Sequence, residues 1–334
     1  MGHDKLRKFA ENETFGCLLQ PSAQDLLRNG YFSLSDHPVK GHWGERFANP
    51  DAPLVLELGC GKGEYTIDLS QRVPDKNYIG VDIKGARLWK GAKYATEHAL
   101  GNVGFLRTRI EFITAFFAPE EVSEIWLTFS DPQVRSENSR LTSPIFLERY
   151  RKFLAPGGRI HLKTDSQFLY QYTLAVCKAN GLPVLACSED LYAEAGRFDP
   201  CLTEVQTFYE QMFRGQGYPI KYLCFTLDGP LAETAGAESG RGREKPSAPT
   251  QCEWEGPAPG GVGGMDLEKR PVDAFPNPVF RTSSCAVEAG SAVFISPSDF
   301  DADYWRGVEG DRTLFGRDTA ETRRQKMKKN DKDS

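Results

Sequence analysis

The sequence predicts an α/β chain with a mostly parallel, doubly wound sheet, on three observations. Short unbroken apolar runs alternate with stretches of helical periodicity through most of residues 54–228. The first run, LVLEL at Leu54–Leu58, passes straight into alternating glycines at Gly59, Gly61 and Gly63. A later run, NYIGVD, ends on an acid, Asp82, about 20 residues past that loop, where a nucleoside-binding carboxylate is expected in such folds.

Each element follows from its residues. An apolar run without alternation is a strand covered on both faces, as in a parallel sheet. Glycines without Cβ let the chain turn sharply and approach a ligand. Residues 64–72, with Tyr65, Ile67 and Leu69 among polar positions, read as the helix leaving the loop. A helix from Lys84 to His98 carries Lys84, Arg87, Lys90 and Lys93, mostly as a solvated face. Asn102–Thr108 is a third strand, and Glu124–Phe129 a fourth that stops at Ser130-Asp131-Pro132-Gln133. A helix follows from about Ser143 to Leu154, then a Pro-Gly-Gly turn and a fifth strand, RIHLKT, ending at Asp165. Another helix covers 166–179. LPVLAC and IKYLCFTL are the last strands; joined by a loop, they fit an antiparallel edge hairpin.

This divides the chain into an irregular N-terminal arm (1–52), a catalytic-type domain (53–229) and a low-complexity tail (230–334). The arm carries Lys5, Arg7 and Lys8 and reads as packed, or as a lid or RNA-contacting segment. Glycine, alanine, proline and glutamate dominate 231–264, and the aromatics beyond show no sustained period, so the tail is expected to lack structure. Its terminal run, RRQKMKKNDK, is either solvated or an auxiliary RNA contact through Arg323–Lys329.

Composition excludes several classes. No run approaches the roughly 20 apolar residues of a membrane span, and MGHDKLRKFAEN lacks a signal-peptide core. The eight cysteines are dispersed with no C-x-x-C pair, so neither zinc nor a disulfide framework is expected, and reduced thiols in the cytoplasm are. A net charge of −5 does not announce a nucleic-acid partner. RNA binding would require cations gathered on one face.

The glycine spacing G-x-G-x-G, with Glu57 two residues ahead, differs from the dinucleotide fingerprint G-x-G-x-x-G. It looks more like the first motif of class I S-adenosylmethionine methyltransferases. Asp82 would accept from both ribose hydroxyls of an adenosine cofactor, or cap the helix that follows. The chemistry belongs where the fourth strand ends, because ligands bind at the carboxyl edges of such sheets. There Pro132 fixes its own φ and biases Asp131 towards an extended conformation. No aromatic follows, unlike the N/D-P-P-Y/F loop of amine methyltransferases.

LELGCGKGEYT, YIGVDIKGARLWKGAK, FSDPQ, SRLTSPIFLERYRKFLAPGG, HLKTDSQFLYQYT and TFYEQMFRGQGYPIKYLCF together resemble the bacterial tRNA (guanine-N7-)-methyltransferases, the TrmB family, over about residues 1–228. The resemblance implies a class I fold and methyl transfer from S-adenosyl-L-methionine to N7 of guanine 46 in the tRNA variable loop. It implies Glu57, Gly59, Gly61, Asp82, Arg109 and Asp131 around the cofactor, with Asp131 as the catalytic acid. It places Arg135, Asp165, Thr207 and Glu210 on the substrate, the last two as the T-x-x-E motif. No metal and no membrane are implied, and oligomeric state is left open.

Guanine N7 carries a lone pair and no proton, so alignment and exclusion of water are the main demands. A nearby carboxylate such as Asp131 would stabilise the charge arriving on the purine. Asp165 and Glu210 would accept from guanine N1–H and the 2-amino group, a pattern adenine cannot match. Two departures stand out. Ser130 replaces the usual proline, and residues 134–141 keep only Arg135 and Arg140 of a Lys/Arg-rich stretch, which weakens phosphate contacts. Arg109 stands where many members have Asp or Asn, and it offers donors only. Methylation of another RNA base, or non-catalytic cofactor or tRNA binding, are the alternative functions.

Overall fold

The computed structural model describes residues 2–29, 33–228 and 293–309. Eight strands form one sheet: β1 (Leu18–Leu19), β2 (Leu54–Leu58), β3 (Asn77–Asp82), β4 (Val103–Arg107), β5 (Val122–Thr128), β6 (Leu154–Thr164), β7 (Val184–Ser188) and β8 (Lys221–Thr226). Their spatial order is β1-β4-β3-β2-β5-β6-β8-β7. All neighbours from β1 to β6 are parallel, whereas β8 runs antiparallel to both β6 and β7. The predicted α/β class and antiparallel edge are therefore both present.

Burial explains the runs of apolar residues. Every residue of β2, β3 and β8 is buried, while β7 at the sheet edge is mostly half-exposed. The helices are α1 (Gly2–Asn12), α2 (Ala23–Leu26), α3 (Glu64–Arg72), α4 (Gly85–Glu97), α5 (Pro144–Arg151), α6 (Gln167–Ala179), α7 (Cys201–Glu204), α8 (Phe208–Gly215) and α9 (Ala302–Glu309). The largest apolar cluster joins Leu56, Leu58, Ile79, Leu127 and Leu162 of the sheet to Phe146, Tyr150 and Leu169 of α5 and α6. A second cluster unites Val55, Tyr78, Trp126 and Tyr222 with Tyr65 and Leu69 of α3.

Residues 1–52 depart from the expected irregular arm. α1 lies against α4: Asn12 Nδ2 donates to the Gly85 carbonyl at 3.0 Å, and Trp89 Nε1 donates to Glu11 at 2.7 Å. β1 adds an edge strand beside β4. A two-residue strand, the four-residue α2 and an α1 completed by Trp89 leave little local periodicity to read.

The connection between β7 and β8 also differs from the expected plain loop, since it carries α7 and α8. In the 230–334 segment, residues 293–309 are structured, contrary to the expectation for that stretch. Phe294, at 4% exposure, joins the main core, and α9 packs on α6. The basic run Arg323–Lys329 lies outside the described residues. Cys17, Cys60, Cys177, Cys201 and Cys224 are free thiols. No helix among the described residues is long and apolar enough to cross a membrane.

Candidate active site

The strand order reverses direction at β2: β3 and β4 lie on one side, β5 and β6 on the other. The crevice outside the carboxyl ends of β2 and β5 is the place where open α/β sheets bind ligands. The loop after β2 carries the glycines, and the loop after β5 carries Asp131. Adjacent parallel strands thus bring two motifs about 70 residues apart in sequence to one edge.

The three glycines have two different duties. Gly59 (φ 81°) and Gly61 (φ 60°) adopt the left-handed conformation, and a Cβ on either would meet nothing within 4 Å. Their backbone faces open space, as a ligand cradle requires. Gly63 (φ 72°) is instead packed: an added Cβ would sit 2.5 Å from Phe105, against which Gly91 of α4 also closes.

Asp82 ties the cradle to the next loop. One carboxylate oxygen accepts from Gly61 N at 3.0 Å and the other from Lys84 N at 2.7 Å. Each oxygen keeps a lone pair for a hydroxyl. The cradle and this acid fit an adenosine cofactor.

Glu57 is buried beneath the cradle. It is 4% exposed, and its carboxylate accepts from Thr66 N at 2.9 Å, Thr66 Oγ1 at 2.5 Å and Thr128 Oγ1 at 2.5 Å. These bonds join β2, the first turn of α3 and the end of β5. Burial pushes its carboxyl up to about 7, against the opposing pull of the three donors. Arg109, just past β4, pairs with Glu111 at 3.1 Å and lies over the Phe112 ring, while its Nε has no hydrogen-bond partner in the protein.

The loop after β5 is conformationally strained at both ends. Phe129 (φ 51°) and Gln133 (φ 47°) are non-glycine residues in the left-handed region. Asp131 is exposed between them and accepts from Gln133 N at 3.1 Å. Arg135 is exposed. Arg140 is not: at 4% exposure it donates to the carbonyls of Gln133 and Val134 at 3.3 Å each. It therefore holds the loop from inside.

The T-x-x-E motif is a capping box. Thr207 Oγ1 accepts from Glu210 N at 3.1 Å, and Glu210 accepts from Thr207 N at 3.4 Å, which fixes the start of α8. Glu210 has no exposure; it pairs with Lys163 Nζ at 2.7 Å and accepts from Tyr192 OH at 2.7 Å. Half-buried Asp165 follows β6, and its carbonyl accepts from Lys221 Nζ at 3.0 Å.

Phe208 and Tyr209, inside T-x-x-E, are 56% and 43% exposed on the first turn of α8. Lys62 of the glycine loop lies 5.4 Å from the Phe208 ring centre, and Phe208 N donates to Glu64 at 3.3 Å. The α8 start thus borders the cofactor loop. A separate cavity, lined by Trp43, Phe47, Pro50, Asn77 and Glu121, lies by the amino-terminal ends of β2 and β3, away from these residues.

A family model described as "Putative methyltransferase" matches residues 51–223. The tRNA (guanine-N(7)-)-methyltransferase of Christiangramia forsetii is 48% identical over 227 residues, covering 67% of this chain and 98% of that protein. That of Bacteroides thetaiotaomicron is 48% identical over 237 residues, with 70% and 90% coverage. That of Porphyromonas gingivalis reaches 51% over 199 residues, with 60% and 81% coverage.

The chain belongs to the tRNA (guanine-N7-)-methyltransferase family. As a methyltransferase of this family it uses S-adenosyl-L-methionine.

Proposed function

We propose that this chain, in the cytoplasm, methylates N7 of guanine 46 in the variable loop of tRNA. The observation that carries the reading is the exposed Asp131 on a strained Asp-Pro loop, next to the glycine cradle at the reversal point of the sheet. S-adenosyl-L-methionine, when bound, supplies an electrophilic methyl group on a positively charged sulfur.

The protein's own groups have limited tasks. Backbone at Gly59 and Gly61, with the Asp82 carboxylate, holds the adenosine portion, and Arg109 borders it beyond β4. Glu57 sets the cradle on β2 and β5 from beneath. The N7 lone pair needs no base, so Asp131 acts electrostatically, stabilising positive charge as it develops on the purine. Orientation of the guanine supplies most of the remaining acceleration. Asp165 accepts from the guanine edge. Thr207 and Glu210 act by fixing the start of α8, whose exposed Phe208 and Tyr209 give a base a surface on which to rest. Arg135 offers a phosphate contact.

The test is methyl transfer from labelled S-adenosylmethionine to unmodified tRNA, followed by nucleoside analysis. N7-methylguanosine from the native protein is expected, with Asp131→Ala reduced about 100-fold or more. A different methylated nucleoside would overturn the substrate. An undiminished Asp131→Ala would overturn the acid's role.

A further inference from the structure

Residues 293–309 lie beyond the family match, which ends at residue 223, yet they are held by specific contacts. Phe294 N donates to Glu148 at 2.9 Å. Asn180, which directly follows α6, brackets Ile295: its Nδ2 donates to the Ile295 carbonyl at 2.8 Å, and its Oδ1 accepts from Ile295 N at 2.7 Å. Lys178 pairs with Asp299 at 3.1 Å. The adjacent Phe300 then meets Phe168 and Tyr172 edge-on, at 5.4 and 5.3 Å between ring centres.

Those same two rings grip Arg140. Its guanidinium lies 4.6 Å from the centre of Phe168 and 4.3 Å from that of Tyr172. A buried guanidinium needs both aromatic faces and acceptors, and here the acceptors are the carbonyls of Gln133 and Val134. Tyr172 OH also donates to Glu137 at 2.7 Å, pinning the far side of the same loop. Gln133 N in turn donates to Asp131. Positive φ at Phe129 and Gln133 persists only where surroundings hold it.

We propose that residues 293–309 are an intramolecular strap that positions the reaction loop, with Phe300 acting on Asp131 through Phe168, Tyr172 and Arg140. Phe300 is a positioning residue, and its effect on turnover rests on the reading of Asp131 given above. Without its edge, the two rings gain rotational freedom and Arg140 loses its fixed seat. The loop then samples conformations in which the acid is misplaced, at a cost in rate and not in cofactor affinity.

The experiment compares full-length Phe300→Ala and Phe300→Tyr with the native protein. Amide hydrogen exchange is read at Ser136 and Arg140, whose N–H groups bond to the Gln133 and Glu137 carbonyls at 3.0 and 2.9 Å. Methyl transfer and S-adenosylhomocysteine binding are measured alongside. In Phe300→Ala, exchange at these amides is expected to rise about tenfold and kcat to fall about tenfold. Binding and protection of the core strands should hold, and Phe300→Tyr should restore both readouts. Unchanged loop exchange in Phe300→Ala would overturn the strap. So would loss of protection spread equally through the core strands, which signals general destabilisation. Faster loop exchange with unchanged kcat would leave the strap's hold on the loop standing and overturn the catalytic reading of Asp131 instead.

Discussion

Lys163 and Glu210 form an ion pair of 2.7 Å in which neither side chain has any solvent exposure. Lys163, the penultimate residue of β6, also donates to the carbonyls of Leu202 at 2.5 Å and Val205 at 3.0 Å. One cation thus fastens the sheet to the segment that leads into α8. Burial pushes the Lys163 ammonium down and the Glu210 carboxyl up, while each partner opposes the other's shift. The T-x-x-E acid, expected on the guanine, is occupied within the protein.

Removing one partner of this pair leaves a buried uncompensated charge. Glu210→Gln or Lys163→Met should each cost about 3–5 kcal/mol in urea unfolding. The double variant, Lys163→Met with Glu210→Met, should recover a large part of that loss. Full stability with lost guanine methylation in Glu210→Gln would return Glu210 to direct substrate contact.

Glu57 makes stability fall as pH rises. Its folded pKa, about 7, lies above the ordinary 4.5, so between those values the folded state binds more proton than the unfolded. The contribution is fully present below about 4.5 and lost as pH passes about 7. It amounts to on the order of 3 kcal/mol. His161, pushed down to about 4 by burial, works in the opposite sense: it loses stability as pH falls through 6.5 to 4. The difference between native protein and Glu57→Gln in urea, taken at pH 5 and pH 8, isolates the Glu57 effect. An equal difference at both values would refute it.

The glycines should separate by their environment. Gly63→Ala forces a methyl against Phe105 at a left-handed backbone position and should lower stability by about 1–3 kcal/mol. Gly61→Ala meets open space, so it should cost only about 1 kcal/mol of backbone strain. It should nevertheless weaken S-adenosylhomocysteine binding, because its methyl enters the space the ligand approaches. Thermal unfolding and calorimetric titration of the two variants check the contrast, which fails if both variants lose binding and stability alike.

The sheet and the glycine turn after β2 were readable in the residues alone. Short apolar runs without alternation, bounded by turn residues, read as strands covered on both faces, and parallel sheets bind ligands at their carboxyl ends. α3 and β3 fall on their expected residues, and α4 does so to within one residue at each end. Glu57, Glu210 and Arg140 were legible as polar residues in motifs, but the partners that hold them inside the protein were not. Each was decided by groups distant in sequence: Thr128 for Glu57, Lys163 for Glu210, and Phe168 with Tyr172 for Arg140. A buried charge takes whatever partner the packed chain brings within about 3 Å, because leaving it unpaired costs several kcal/mol. The 293–309 strap was unreadable for the same reason. Its aromatics have no period of their own, and only the faces of α5 and α6 give Phe294 and Phe300 a place to be buried.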